Sequence, residues 1–273
     1  MGQGSSSRYT SGSSGSSDTI ILDEPVSPST DVEFQAKLLK LITMSKSTEL
    51  PIQRAVAECL ANEAMLEERR ALIVNLGGLD LLQSLIMSKD PEVQRLVTHT
   101  LANLAVSDHN QLEIAKNLDL IQALISLLGS TFPATQRQAA KAIANLAVKS
   151  ENKHILLKHN ALPPLLHLAS SGMSNIQTEA LAAIANLSVD DDNEVLIGDT
   201  LGGVQIIMTV LSESLDDDVL AQGARAIRNL SIAHVNKQLI RKYDGDATLS
   251  TLAASKIDKI RCQALITLHN ISH

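Results

Sequence analysis

From Asp31 onward, apolar residues recur at helical spacing, and the pattern itself repeats. Residues 52–64 read IQRAVAECLANEA, and 93–105 read VQRLVTHTLANLA. The string returns at 135–147 (TQRQAAKAIANLA), 176–188 (IQTEALAAIANLS), 219–231 (VLAQGARAIRNLS) and 260–272 (IRCQALITLHNIS). The asparagines of these copies, Asn62, Asn103, Asn145, Asn186, Asn229 and Asn270, are 41, 42, 41, 43 and 41 residues apart. Each copy predicts a long helix. Two positions before its Asn stands Leu60, Leu101, Ile143, Ile184, Ile227 or Leu268. Six positions before stands a mostly small residue: Val56, Val97, Ala139, Ala180, Gly223 or Ala264. A small-then-large stripe lets neighbouring helices approach closely.

A second asparagine series, Asn110, Asn152, Asn193 and Asn236, follows the long helices and is expected to N-cap a short helix such as 152–158. A break comes next, at Gly77-Gly78, Leu118-Asp119, Asn160-Ala161, Gly202-Gly203 or Gly245-Asp246. A second apolar helix follows, for example 79–87 or 121–128. Pro51 and Pro91 fall in the first turn of a long helix and Pro163 in that of a second helix, where a missing N–H costs nothing. Each unit thus reads short helix, second helix, long third helix. No unit can bury its faces alone, so stacking must supply the core.

A period near 42 with this punctuation resembles the armadillo repeat family. The resemblance is carried by Gln53, Gln94, Gln136 and Gln177, nine residues before the repeat Asn, and by the A-L/I-x-N-L/I core. The glycine-led segments at 77–82 and 202–207 add to it. It covers about residues 31–273 and implies an all-α fold, a right-handed armadillo-repeat superhelix (an α-solenoid) of about six repeats. β-Catenin, importin-α and lipid-anchored adaptors of the vacuolar membrane are members of this type. The family implies binding of extended peptides in a concave groove lined by the third helices.

Positions eight, four and zero residues before the Asn fall on one helical face. In the first three repeats they are Arg54/Glu58/Asn62, Arg95/His99/Asn103 and Arg137/Lys141/Asn145. In the last three they are Thr178/Ala182/Asn186, Ala221/Arg225/Asn229 and Cys262/Ile266/Asn270. The resemblance assigns contacts with a peptide backbone to Asn103, Asn145, Asn186 and Asn229. An amide suits that role because it both donates and accepts. Such an Asn also serves to tie down the following loop, and the two roles are compatible. Importin-α carries Trp four residues before the Asn; this chain has none there or elsewhere, which argues against a nuclear-import receptor. Arg54, Arg95, His99, Arg137 and Lys141 form instead a strip opposed only by Glu58, suited to an acidic peptide unless the stems are solvated or paired. The expected peptide-binding set is Arg95, His99, Asn103, Arg137, Lys141, Asn145, Asn186, Arg225 and Asn229.

Composition narrows the remaining functions. Net charge is −7, and the aromatics are only Phe34, Phe132, Tyr9 and Tyr243. A nucleic-acid partner is therefore not expected. Cys59 and Cys262 form no metal or disulfide spacing, and Cys59, beside Glu58 with no cation in sequence, reads as a core residue. His154 and His159 lack further ligands, no catalytic motif is present, and neither enzymatic activity nor a cofactor is expected. The runs Asp190–Asp192 and Asp216–Asp218 read as loop charges or helix-start carboxylates.

Residues 1–30, rich in Ser and Gly, are expected to be a disordered tail ahead of the repeat array at 31–273. Gly2 with Ser6 fits a loose N-myristoylation pattern. One acyl chain without a second signal would support only weak, reversible membrane contact. A Ser-rich transit peptide fits less well, since Arg8 is the only cation before Lys37. At the other end, Leu265, Ile266 and Leu268 are expected to lack a covering repeat; a truncated chain, a self-association surface or a polar outer side are the alternatives. The sequence thus points to a scaffold or adaptor that binds an acidic protein segment in a cytoplasmic setting, membrane or nuclear association being left open. The other readings are an acylated membrane-trafficking adaptor and the substrate-binding arm of a larger ubiquitin-ligase-type protein.

Overall fold

The computed structural model describes residues 28–189, 191–200 and 202–273; the side chains of residues 28–31, 191, 192, 199 and 200 are not described. Seventeen α-helices and no strand occur among these residues. The first two are α1 (Pro28–Met44) and α2 (Leu50–Glu63). Then come three-helix units: α3 (Glu67–Asn75), α4 (Gly78–Leu85) and α5 (Pro91–Leu104), followed by α6 (Asp108–Lys116), α7 (Leu118–Ser126) and α8 (Pro133–Leu146). The next is α9 (Ser150–Lys158), α10 (Leu162–Ala169) and α11 (Ser174–Leu187). In the fifth repeat α12 (Asp191–Val195) runs into a π turn, Leu196–Thr200, before α13 (Gly203–Glu213) and α14 (Asp217–Leu230). The last unit is α15 (His234–Lys242), α16 (Gly245–Ala253) and α17 (Asp258–Ser272).

The third helices α2, α5, α8, α11, α14 and α17 pack in series, each on the next. Leu60, Leu101, Ile143, Ile184 and Ile227 are all buried at this seam, each contributing about 1.5–3 kcal/mol by leaving water. The small partners Val56, Val97, Ala139, Ala180 and Ala264 are fully covered. The result is an all-α, right-handed solenoid, built by repetition rather than by one central core.

The corners follow backbone chemistry. Gly77 and Gly202 take positive φ, as do Asn160 and Asp244. The residue after the corner is held tighter still: a Cβ on Gly203 would stand 2.3 Å from the carbonyl oxygen of Ile197. In the third repeat the break falls at Asn117, whose side chain accepts from the Leu120 N–H at 3.0 Å and caps α7.

The second asparagine series does not N-cap the short helices, contrary to expectation. Asn110, Asn152 and Asn236 lie inside α6, α9 and α15, and those helices have no side-chain cap. Asn152 Nδ2 donates to Leu146 O and to Gln111 O, both at 3.0 Å. Asn110 does the same to Leu104 O (3.2 Å) and Arg70 O (3.1 Å), and Asn236 to Leu230 O (2.9 Å) and Glu194 O (2.8 Å). One acceptor is a carbonyl at the end of a third helix, left without a helical partner; the other belongs to the short helix one repeat earlier. These side chains staple two repeats. The glutamines marked by the sequence act similarly on nearer loops: Gln53, Gln94 and Gln177 donate to Ser47 O, Ser88 O and Ala169 O at 2.9–3.0 Å.

Candidate functional site

The first asparagine series runs along the third helices, and most of its amide donors point into the stack. Asn145 Nδ2 donates to Ala102 O at 2.8 Å, Asn186 Nδ2 to Ala144 O at 2.7 Å, and Asn229 Nδ2 to Ala185 O at 2.8 Å. The acceptors stand at helix ends. The Val106 N–H bonds Asn103 O and the Val148 N–H bonds Asn145 O, so Ala102 and Ala144 lose their helical partners. The repeats that carry Asn145, Asn186 and Asn229 therefore each bind the end of the third helix before them. The expected tie to the following loop is replaced by a tie to the preceding repeat.

What remains for a ligand differs by rung. Asn145 is half-buried, and its Oδ1 makes no bond among the described residues. Asn186 Oδ1 accepts from Arg225 Nη2 at 3.0 Å, while the same Nη2 reaches Ala182 O at 3.1 Å. Asn229 is buried, 5% exposed, and its Oδ1 accepts from Arg228 at 3.0 Å. Both ends of the Asn229 amide are thus engaged. Asn103 pairs within its own helix, Nδ2 lying 3.1 Å from His99 Nε2.

The cations of the strip meet more carboxylates than the sequence suggested. Arg54 pairs with Asp90, the N-cap of α5. Arg95 makes two bonds to Glu92 at 2.6 and 2.8 Å. Arg137 lies 3.7 Å from Glu179. Lys141 makes no ion pair among the described residues, although Glu179 and His99 both feel its charge. Burial holds the His99 imidazole below its ordinary pKa; the charges of Arg95 and Lys141 act in the same direction, against a hydrogen bond that the protonated ring donates to the Gln138 side chain. Burial also raises the Glu179 carboxyl, while Lys141 and Arg137 pull it down. Burial lowers the pKa of Arg225.

Arg95, His99, Asn103, Arg137, Lys141 and Asn145 therefore form one neighbourhood, with Glu92, Gln138 and Glu179 added. Asn186 and Arg225 form a separate, internally bonded pair. Sequence reasoning passed over Glu179 and Gln138, each seven residues before its Asn; one helical step from the residue at minus eight, they flank the same face. It also took Cys59 to have no cation nearby, whereas Lys37 of α1, paired with Glu63 at 2.5 Å, lies close enough for the thiol to act on its pKa. Asp216 accepts from the Asp218 and Val219 N–H groups and caps α14, the helix-start role read for that run. Asp190 and Gly2 lie outside the described residues, and the side chains of Asp191 and Asp192 are not described. A cleft of about 750 Å³ lies elsewhere, between the loops at Gly172 and Leu215.

This arrangement defines an α-solenoid whose third helices expose an amide-and-cation face. The chain belongs to the armadillo-like family: the family's sequence model, described as Armadillo-like, matches residues 31–200. No curated protein matches it. Among solved structures, an engineered protein from a structural genomics consortium is 30% identical with a TM-score of 0.80, covering 86% of this chain and 96% of its own. A second engineered protein is 30% identical with a TM-score of 0.81, covering 89% of this chain and 59% of that one. A designed armadillo repeat protein in complex with the peptide (KR)4 is similar in fold at 20% identity, with a TM-score of 0.78 over 86% of this chain and 99% of that one.

Proposed function

We propose that the chain is a protein-binding scaffold or adaptor whose concave third-helix groove receives an extended, acidic segment of a partner protein. Lys141 carries this reading. It makes no ion pair among the described residues, sits beside the half-buried His99, and is flanked by Arg95 and Arg137, whose own partners are a surface carboxylate and a distant one. The surface pair Arg95–Glu92 contributes about 0–1 kcal/mol, and Arg137 stands 3.7 Å from the half-buried Glu179, so a ligand carboxylate can compete for both guanidinium groups. Asn145 Oδ1 stands open to a peptide N–H, the sequence-independent grip that holds a main chain in place. The designed armadillo protein noted above holds a Lys/Arg peptide; here the cations stand on the groove, and the preference is reversed. A cytoplasmic setting goes with this reading.

Asn103, Asn186 and Arg225 enter the contact set only by exchanging an internal bond, and Asn229 is left out of it. The test is fluorescence anisotropy of a labelled Glu/Asp-rich peptide against the full chain and its Arg95→Glu/Lys141→Glu variant. Binding weakened at least tenfold, with unchanged helicity, supports the groove. Equal binding by both proteins removes it.

A further inference from the structure

Five apolar side chains stand exposed in a row that the groove does not use. Met65, Val106, Val148, Val189 and Ile232 each lie three residues past a ladder asparagine, in the turn joining one repeat to the next. They are 62%, 54%, 58%, 61% and 56% exposed. Single exposed apolar residues are ordinary, but here one recurs at the same turn of five successive repeats with no internal packing to account for it.

Spacing and charge select the occupant. Neighbouring packed helices lie about 8–10 Å apart, and this sets the interval between rungs. Residues one heptad apart on an α-helix are about 10.5 Å apart, close to that interval. Same-side residues of a strand fall at about 6.7 or 13 Å and miss it. Beside the apolar row the first turns of the short helices carry Glu67 and Glu68 on α3, Asp108 on α6 and Glu151 on α9, all exposed. Lys149 offsets Asp108 at 3.0 Å and Arg70 donates to Met65 O at 3.2 Å, so Glu67, Glu68 and Glu151 carry the acidity of the border. An acidic border repels an anionic membrane and favours Lys and Arg.

We infer that this rim is a second docking surface, for a basic amphipathic helix of a partner protein with apolar residues at heptad spacing. It is separate from the groove and opposite to it in charge preference. The probe is a labelled helical peptide of about three heptads, with Leu on one face and Lys flanking it, titrated against the full chain by anisotropy. Binding is expected to weaken at least tenfold in Val106→Ser/Val148→Ser and severalfold in Glu151→Lys, and to be unaffected by Lys141→Glu in the groove. Circular dichroism of the Val variants should match the parent, since the substituted side chains are exposed. Four results would each overturn the inference. They are no binding of the peptide, equal binding by the Val variants, equal binding of a peptide with its leucines scattered around the helix, and recruitment to phosphatidylserine vesicles through Val106 and Val148 in place of the peptide.

Discussion

Replacing Asn152 by aspartate separates two roles for a buried asparagine at the start of a helix. At an N-cap, Asp and Asn are nearly interchangeable. In the position observed, Nδ2 donates to two carbonyl oxygens, Leu146 O and Gln111 O, and the side chain is 1% exposed. A carboxylate offers no donor to either and adds a buried charge facing two oxygens. Asn152→Ala should cost about 2–4 kcal/mol, the Leu146 carbonyl being left unpaired along with the second lost bond. Asn152→Asp should cost more, about 3–5 kcal/mol. The penalty should depend on pH. The folded state raises the pKa of this carboxyl above its unfolded value of about 3.9, so the ionisation cost is present above that value. It fades as pH falls towards it, because a protonated Asp can donate once. Urea unfolding followed by circular dichroism at neutral and mildly acid pH measures all three proteins. An Asp variant as stable as the parent at neutral pH would refute the stapling role and restore the capping one.

Other outcomes follow from the same geometry. Gly203→Ala should cost more than Gly202→Ala: the first drives a Cβ against the Ile197 carbonyl, while the second meets open space and only the left-handed backbone, about 1–2 kcal/mol; thermal melts compare them. Because burial lowers the His99 pKa, the unfolded chain binds the proton more readily, and stability should fall as pH drops through the ordinary His range; His99→Gln should flatten that part of the pH–stability curve. Glu179→Gln removes the carboxylate facing Arg137 and Lys141, so acidic peptide should bind severalfold tighter by anisotropy; weaker binding would count against the groove's charge preference. Expression in acylating cells followed by intact-mass measurement tests Gly2, which should gain a myristoyl group if the sequence pattern is used.

The repeat register was legible in the sequence because packing and backbone geometry constrain it directly. Leu101, Ile143 and Ile184 must be apolar wherever a third helix meets its neighbours, and Gly77 and Gly202 must tolerate positive φ. Polar side chains were harder to read, since the partner of a hydrogen bond leaves no trace in local spacing. Asn152 reads as a cap from its neighbours, yet one acceptor, Gln111 O, lies 41 residues away. Arg137 read as an open cation for the same reason, since Glu179 arrives from the next repeat; Glu92, three residues before Arg95, was within local spacing and was passed over. The face was visible; its internal neutralisation was not.

The asparagine ladder gives the solenoid a direction in time as well as in space. Ala102 O waits for Asn145, and Ala144 O for Asn186, donors that leave the ribosome 43 and 42 residues later. While this middle stretch of the chain is being made, the ends of α5, α8 and α11 wait for a donor from the next third helix, and each is closed only when that helix is complete. Folding during synthesis should therefore trail translation by one full repeat.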